Sequence, residues 1–254
     1  MKNLIKISVI FIVLHSGFVR GQTKFITGGT ILFEKTQNMF AILKKKVTKD
    51  NMENKARYED YQRTEEQFLK YKSTLIFNAS SSLFTPMSGK AIPWYYDAPI
   101  ADQINIVFSD FSKGTTTVQK DFYERRFLIK DSLRKITWKL TDETRNIAGY
   151  NCRRANGLVL DSVYVVAFYA EDIHVSGGPE SFNGLPGMML QVVLPHENVS
   201  WIATDVNLTP VDDKKLTPPT NGTPINYKKL YDILWEAQGK YGEMGRYFIK
   251  GFYL

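Results

Sequence analysis

Val163-Tyr164-Val165-Val166-Ala167-Phe168-Tyr169 is the stretch that decides the fold. Side chains of a strand alternate between two faces. Here one set is Val163, Val165, Ala167 and Tyr169, and the other is Tyr164, Val166 and Phe168. Both faces are apolar, so the strand belongs in the middle of a sheet with cover on each side. Working outward, short segments of strand character recur at 104–108, 116–122, 126–130, 136–140, 148–155, 188–194 and 199–207, with turn residues between them. That spacing predicts a β-meander. Asn156-Gly157 predicts a hairpin turn, because both residues tolerate positive φ.

Toward the N-terminus, Gly28–Lys35 and Leu75–Phe84 each read as a strand. Residues 41–73, rich in Lys, Glu, Gln and Asn, read as a variable insertion, part helix and part loop, with Phe68, Leu69 and Tyr71 on one helical face. Pro86, Pro93 and Pro99 fall within 85–101 and exclude a helix or a central strand there. After Pro218-Pro219, Thr223 fits a helix cap with Pro224 in the first helical position. Leu230, Ile233, Leu234 and Ala237 follow at helical spacing, which predicts a C-terminal helix within 223–240. The fold class is therefore mainly β (α+β), with a C-terminal helix and a partly helical insertion.

The N-terminus has the order of a secretory signal: Lys2 and Lys6, the apolar run Ile7–Leu14, then Val19-Arg20-Gly21. Cleavage is expected before Gln22, leaving one domain over 22–254 in the periplasm, free or associated with the outer membrane. No later apolar run approaches the roughly 20 residues a transmembrane helix needs. The net charge of +7 falls to +4 without Lys2, Lys6 and Arg20. The remaining basic residues are interleaved with acidic ones, which points away from nucleic acid. The single cysteine, Cys152, excludes an internal disulfide and is expected as a buried strand residue. Two histidines and one cysteine in the mature chain are a poor donor set for zinc, and no metal or cofactor is expected. Nucleophile-elbow, phosphate-loop and H-E-x-x-H motifs are all missing.

Gly177–Leu190, GGPESFNGLPGMML, is the distinctive segment. Its Gly184-Leu185-Pro186-Gly187 sets a tight turn: proline fixes φ, and the glycines permit positive φ or close backbone approach. The turn either sets the register of the strand behind it or presents a docking loop. AFYAEDIHVSGGPESFNGLPGMMLQV resembles the signature of the GLPGLI family, with Met188 and Met189 in place of its last two letters. Upstream, Trp138, Leu140, Glu143-Thr144-Arg145, Ile147, Gly149-Tyr150, Cys152 and Ala155 fit the same pattern, as do Gly29–Glu34, Pro218-Pro219 and Gly222. The resemblance implies an exported bacterial protein of uncharacterised biochemistry and brings no catalytic residues with it. Residues 136–194 are also distantly similar to exported lipoprotein-carrier proteins, which implies a curved antiparallel sheet or half-barrel.

On this reading the protein is a non-enzymatic binding or envelope-assembly module with an apolar, aromatic groove for an envelope protein or apolar ligand. Gly184, Leu185, Pro186, Gly187, Trp138, Tyr169 and Phe182 are its candidate binding residues. The alternatives are a carboxylate-dependent hydrolase acting on envelope glycans, marked by two carboxyl groups in one cleft, and a structural subunit of an outer-membrane complex. Asp131-Ser132-Leu133 and Asp161-Ser162-Val163 resemble acceptors of bacterial O-glycosylation, which makes Ser132 and Ser162 candidate modification sites.

Overall fold

The computed structural model describes residues 28–49, 51–87, 104–122, 124–160 and 162–254. The strands are β1 (Gly29–Asn38), β2 (Phe68–Phe77), β3 (Ser81–Pro86), β4 (Ile106–Asp110), β5 (Thr115–Phe122), β6 (Arg125–Ser132), β7 (Thr137–Ile147), β8 (Tyr150–Val159), β9 (Val163–Ala170), β10 (Met188–Leu194), β11 (Val199–Asn207) and β12 (Thr223–Ile225). The helices are α1 (Met39–Lys44), α2 (Met52–Thr64), α3 (Tyr227–Gln238) and α4 (Gly242–Tyr253).

Among the described residues, twelve strands share one open, curved sheet in the order β12-β6-β5-β4-β3-β2-β1-β11-β10-β9-β8-β7. Neighbours are antiparallel except β12, which lies parallel to β6. Two meanders, β1–β6 and β7–β11, meet where β1 pairs with β11. Curvature follows from the connections. Ten strand spacings separate β6 from β7 in this order, about 48 Å if the sheet were flat. Only residues 133–136 join them in sequence, and that segment reaches at most about 18 Å. The sheet must therefore bend back on itself, and the core fills the bend. β9 is buried over nearly its whole length on both faces, as its sequence requires.

Several expectations change. Residues 68–73 belong to strand β2: Leu69, Ser73, Leu75 and Phe77 alternate inward, while lysines 70 and 72 face out. The helical part of the insertion is α2, capped by Asn51 and supported by Arg57–Glu53 and Lys55–Glu59 pairs, with Tyr61 as its buried residue. Segment 75–84 is split by a turn at 78–80, where the Asn78 side chain accepts from the backbone of Ser80 and Ser81. Asn156-Gly157 is no turn. It lies inside β8, where Gly157 faces Trp138 so closely that a Cβ would sit 2.8 Å from the ring. The hairpin turn is Ala148-Gly149, with φ of 49° and 88°. Thr223 and Pro224 belong to β12, and Asn226 caps α3 by accepting from Lys229 N at 2.8 Å. A second C-terminal helix, α4, follows. The expected signal segment and the loop residues 88–101 lie outside the described residues.

Cys152 is fully buried in β8, and burial pushes its thiol up to about 12. A thiol reagent at pH 8 should therefore modify native protein far more slowly than urea-unfolded protein. Equal rates would contradict this placement.

Candidate functional site

The GLPG turn is built into the core. Leu185 and Gly187 are buried, while Gly184 and Pro186 face solvent. A Cβ on Gly187 would lie 2.2 Å from Ala170 O, so close approach to β9 requires glycine there. Positive φ occurs at Gly184 instead, at 97°. Trp138 Nε1 donates to Asn183 O at 2.9 Å, tying the turn to β7. Phe182 packs on Trp201 with centroids 6.0 Å apart, and Tyr169 is buried with its hydroxyl donating to Glu171. Trp138 thus lies against the turn, while Phe182 pairs with Trp201 and the Tyr169 hydroxyl turns to Glu171. Ser132 is exposed at the end of β6, and Ser162 is exposed in the β8–β9 turn.

Beside the turn lies a charged interior. Lys35, Lys120 and Glu180 are buried, and Asn105 Nδ2 donates to Glu180 Oε2 at 3.1 Å. Burial pushes the Lys120 ammonium down to about 7, with Arg134 and Lys35 pushing the same way and Glu180 opposing. Burial likewise raises Glu180, against the pull of Lys35 and Lys120. The cavity bordered by Lys35, Asn105, Glu180 and Trp201 is about 20 Å³, room for roughly one water. This cluster holds α4. Lys120 Nζ donates to Phe252 O at 2.7 Å and Arg134 donates to Tyr253 O at 2.8 Å, so a lysine nitrogen and a guanidinium meet the carbonyl end of a helix.

The larger opening is on the other side of that helix, between α3, α4 and the β8–β9 turn. It is a groove of about 480 Å³ lined by Leu160, Ser162, Tyr231, Trp235, Arg246, Ile249, Lys250 and Tyr253. On α3, Leu230 and Leu234 are buried against the core, which turns Tyr231 and Trp235 outward, 42% and 49% exposed. Their rings lie 18° from parallel with centroids 6.0 Å apart, one helical turn apart in sequence. Tyr253 sets its ring edge-on to Tyr231 at 5.8 Å, and Arg134 lies over Tyr253. Close packing of the helix pair needs Gly245, where a Cβ would be 1.9 Å from Gln238 O. Leu160 forms the opposite wall with φ of 52°, an uncommon conformation for a bulky residue and one that marks a constrained site. Lys250 is ion-paired with the buried Glu197. Among the described residues the lining holds no Asp or Glu, and no three His, Cys, Asp or Glu side chains cluster to hold a metal. Asp161, between Leu160 and Ser162, lies outside the described residues.

Sequence reasoning missed this groove. Its signal was present: Tyr231 and Trp235 sit four residues apart, off the apolar stripe that marks the buried face.

Fold and groove together define a curved, mainly β domain with an aromatic surface groove under a C-terminal helix pair. A family model described as the N-glycanase peptide, N-terminal domain, matches residues 108–230, from β4 into α3. The structure is similar to that of PNGF-II solved in space group C2, with a TM-score of 0.52 at 17% identity, covering 84% of this chain and 33% of that one. PNGF-II in space group P21 gives a TM-score of 0.49 at 16% identity, covering 84% and 34%. This chain thus spans about a third of the length of these solved proteins, and the likeness is one of fold. No curated protein matches the chain.

Proposed function

We propose that this is an exported, non-enzymatic binding module of the GLPGLI type that holds a glycan in the groove between α3, α4 and the β8–β9 turn. The observation that carries the reading is the Tyr231–Trp235 pair, two large rings left exposed in a concave site. Ligand sites combine such apolar surface with a few polar groups that fix orientation, and here Ser162 and Arg246 supply them. The family-model match, whose description concerns an N-glycanase, supports a glycan as the ligand class.

A glycan array tests the reading. The wild-type protein should be retained and Trp235→Ala should lose at least tenfold in affinity, with its denaturant midpoint nearly unchanged because the ring is half exposed. Retention unaffected by Trp235→Ala would refute the site. Export is tested separately: N-terminal sequencing of the native protein should begin at Gln22, and an intact Met1 would refute it. Intact mass in the same sample reports on Ser132 and Ser162, since a bare polypeptide mass rules out their glycosylation.

A further inference from the structure

We infer that the groove selects an acidic oligosaccharide, with Tyr231 and Trp235 carrying the sugar rings and Arg246 the acid group; this rests on the glycan-binding reading above. The shape argument comes first. A pyranose has an apolar C–H face and a rim of hydroxyl groups. The groove offers a matching arrangement: near-parallel aromatic rings on α3 beside the polar side chains of Ser162, Arg246 and Lys250. A lipid chain or an apolar helix lying over Ser162 and Arg246 would give them no partners, at about 1–3 kcal/mol for each one buried unsatisfied. A sugar supplies partners for them.

The charge argument distinguishes the two cations. Lys250 is already committed to Glu197, whose side chain is 7% exposed. Arg246 lies one helical turn earlier on α4, exposed, with no ion pair among the described residues. A guanidinium is a planar fork that takes a carboxylate or phosphate through two parallel hydrogen bonds. Beside an aromatic shelf, it reads a sugar that carries an acid. The third observation is Leu160. Its φ of 52°, uncommon for a bulky residue, sets the far wall of the groove.

The test is calorimetric titration of the full chain with trigalacturonic acid and sialyllactose, each beside a neutral counterpart, maltotriose and lactose. An acidic probe should bind at least tenfold more tightly than its counterpart. Arg246→Gln should erase that preference, lowering the affinity for the acidic probe at least tenfold, to the level of its neutral counterpart. Raising salt to about 0.5 M should weaken the acidic arm alone, because screening shortens the reach of the charge. Equal binding of acidic and neutral sugars, lost together in Trp235→Ala, overturns the acidic preference and leaves glycan binding standing. A preference that survives Arg246→Gln overturns the role of Arg246. Absence of binding to any of the four, or binding indifferent to Trp235→Ala, overturns both this inference and the function on which it rests.

Discussion

Gly187→Val should leave no cooperatively folded protein at 25 °C. The Cβ alone would lie 2.2 Å from Ala170 O, 2.8 Å from Ala170 C and 3.1 Å from Glu171 Cα, all backbone atoms. A flexible side chain can move aside, but β9 cannot, because Ala170 is also paired with Met188 and with Cys152. Relief would require pulling β10 off β9 or slipping it by one residue. A slip reverses every side chain of Met188–Leu194, a strand buried at six of its seven positions. Overpacking alone typically costs about 1–3 kcal/mol, and the lost apolar burial adds to it. The sum approaches the roughly 5–15 kcal/mol that holds a domain together. Leu185→Ala acts in the same place by a different route. The side chain is 1% exposed, so its removal should cost about 2–5 kcal/mol. Urea melts measure both. A Leu185→Ala protein as stable as wild type would mean that the turn does not anchor the sheet.

The second large effect concerns pH. Lys120 titrates near 7 when folded, against an ordinary value of 10.5. A lysine lowered in this way is neutral in the native state and charged in the unfolded chain between those values. The unfolded state then binds more protons, so stability rises with pH above about 7, by up to about 1.4 kcal/mol per pH unit. Glu180, raised by burial, works the other way from its ordinary 4.5 upward. Lys120→Met isolates the lysine. The stability of wild type minus that of Lys120→Met should increase from pH 7 to pH 8.5. Staying below pH 9 avoids Cys152, whose raised pKa makes it destabilising once unfolded thiols ionise. A difference that is flat or falls across the interval would show that Lys120 stays charged in the fold.

The second meander was legible because its signals are local. β10 runs between Gly187 and Pro195, and β11 starts just after Asn198, a residue at φ 56°. What the sequence concealed depends on partners far along the chain. Lys35 and Lys120 occupy inward positions of β1 and β5, where a strand pattern calls for apolar residues, and only the fold brings Glu180 beside them. Asn156-Gly157 has turn chemistry, yet Gly157 serves as the gap into which the Trp138 ring fits. Helix α4 was obscured by glycines 242, 245 and 251, residues that weaken helical propensity, although Gly242 supplies a φ of 59° at the helix start and Gly245 allows close approach to Gln238. Residues of the candidate site were divided likewise. Trp138 is tied to the turn through Asn183 O and Phe182 packs on Trp201, pairings between distant segments that composition could not reveal. The exposed pair on α3 could have been found by asking which aromatics lie off the buried stripe.

The most direct test of where this protein binds is the indole N–H region of its ¹H–¹⁵N spectrum during titration with an acidic trisaccharide. The chain has four tryptophans, and single Trp→Phe variants assign their signals. The Trp235 signal should move progressively to saturation, while those of Trp138 and Trp201, held inside the bend, stay in place. Movement of Trp138 with Trp235 unchanged would contradict the account and put the docking surface back at the Gly184–Gly187 turn.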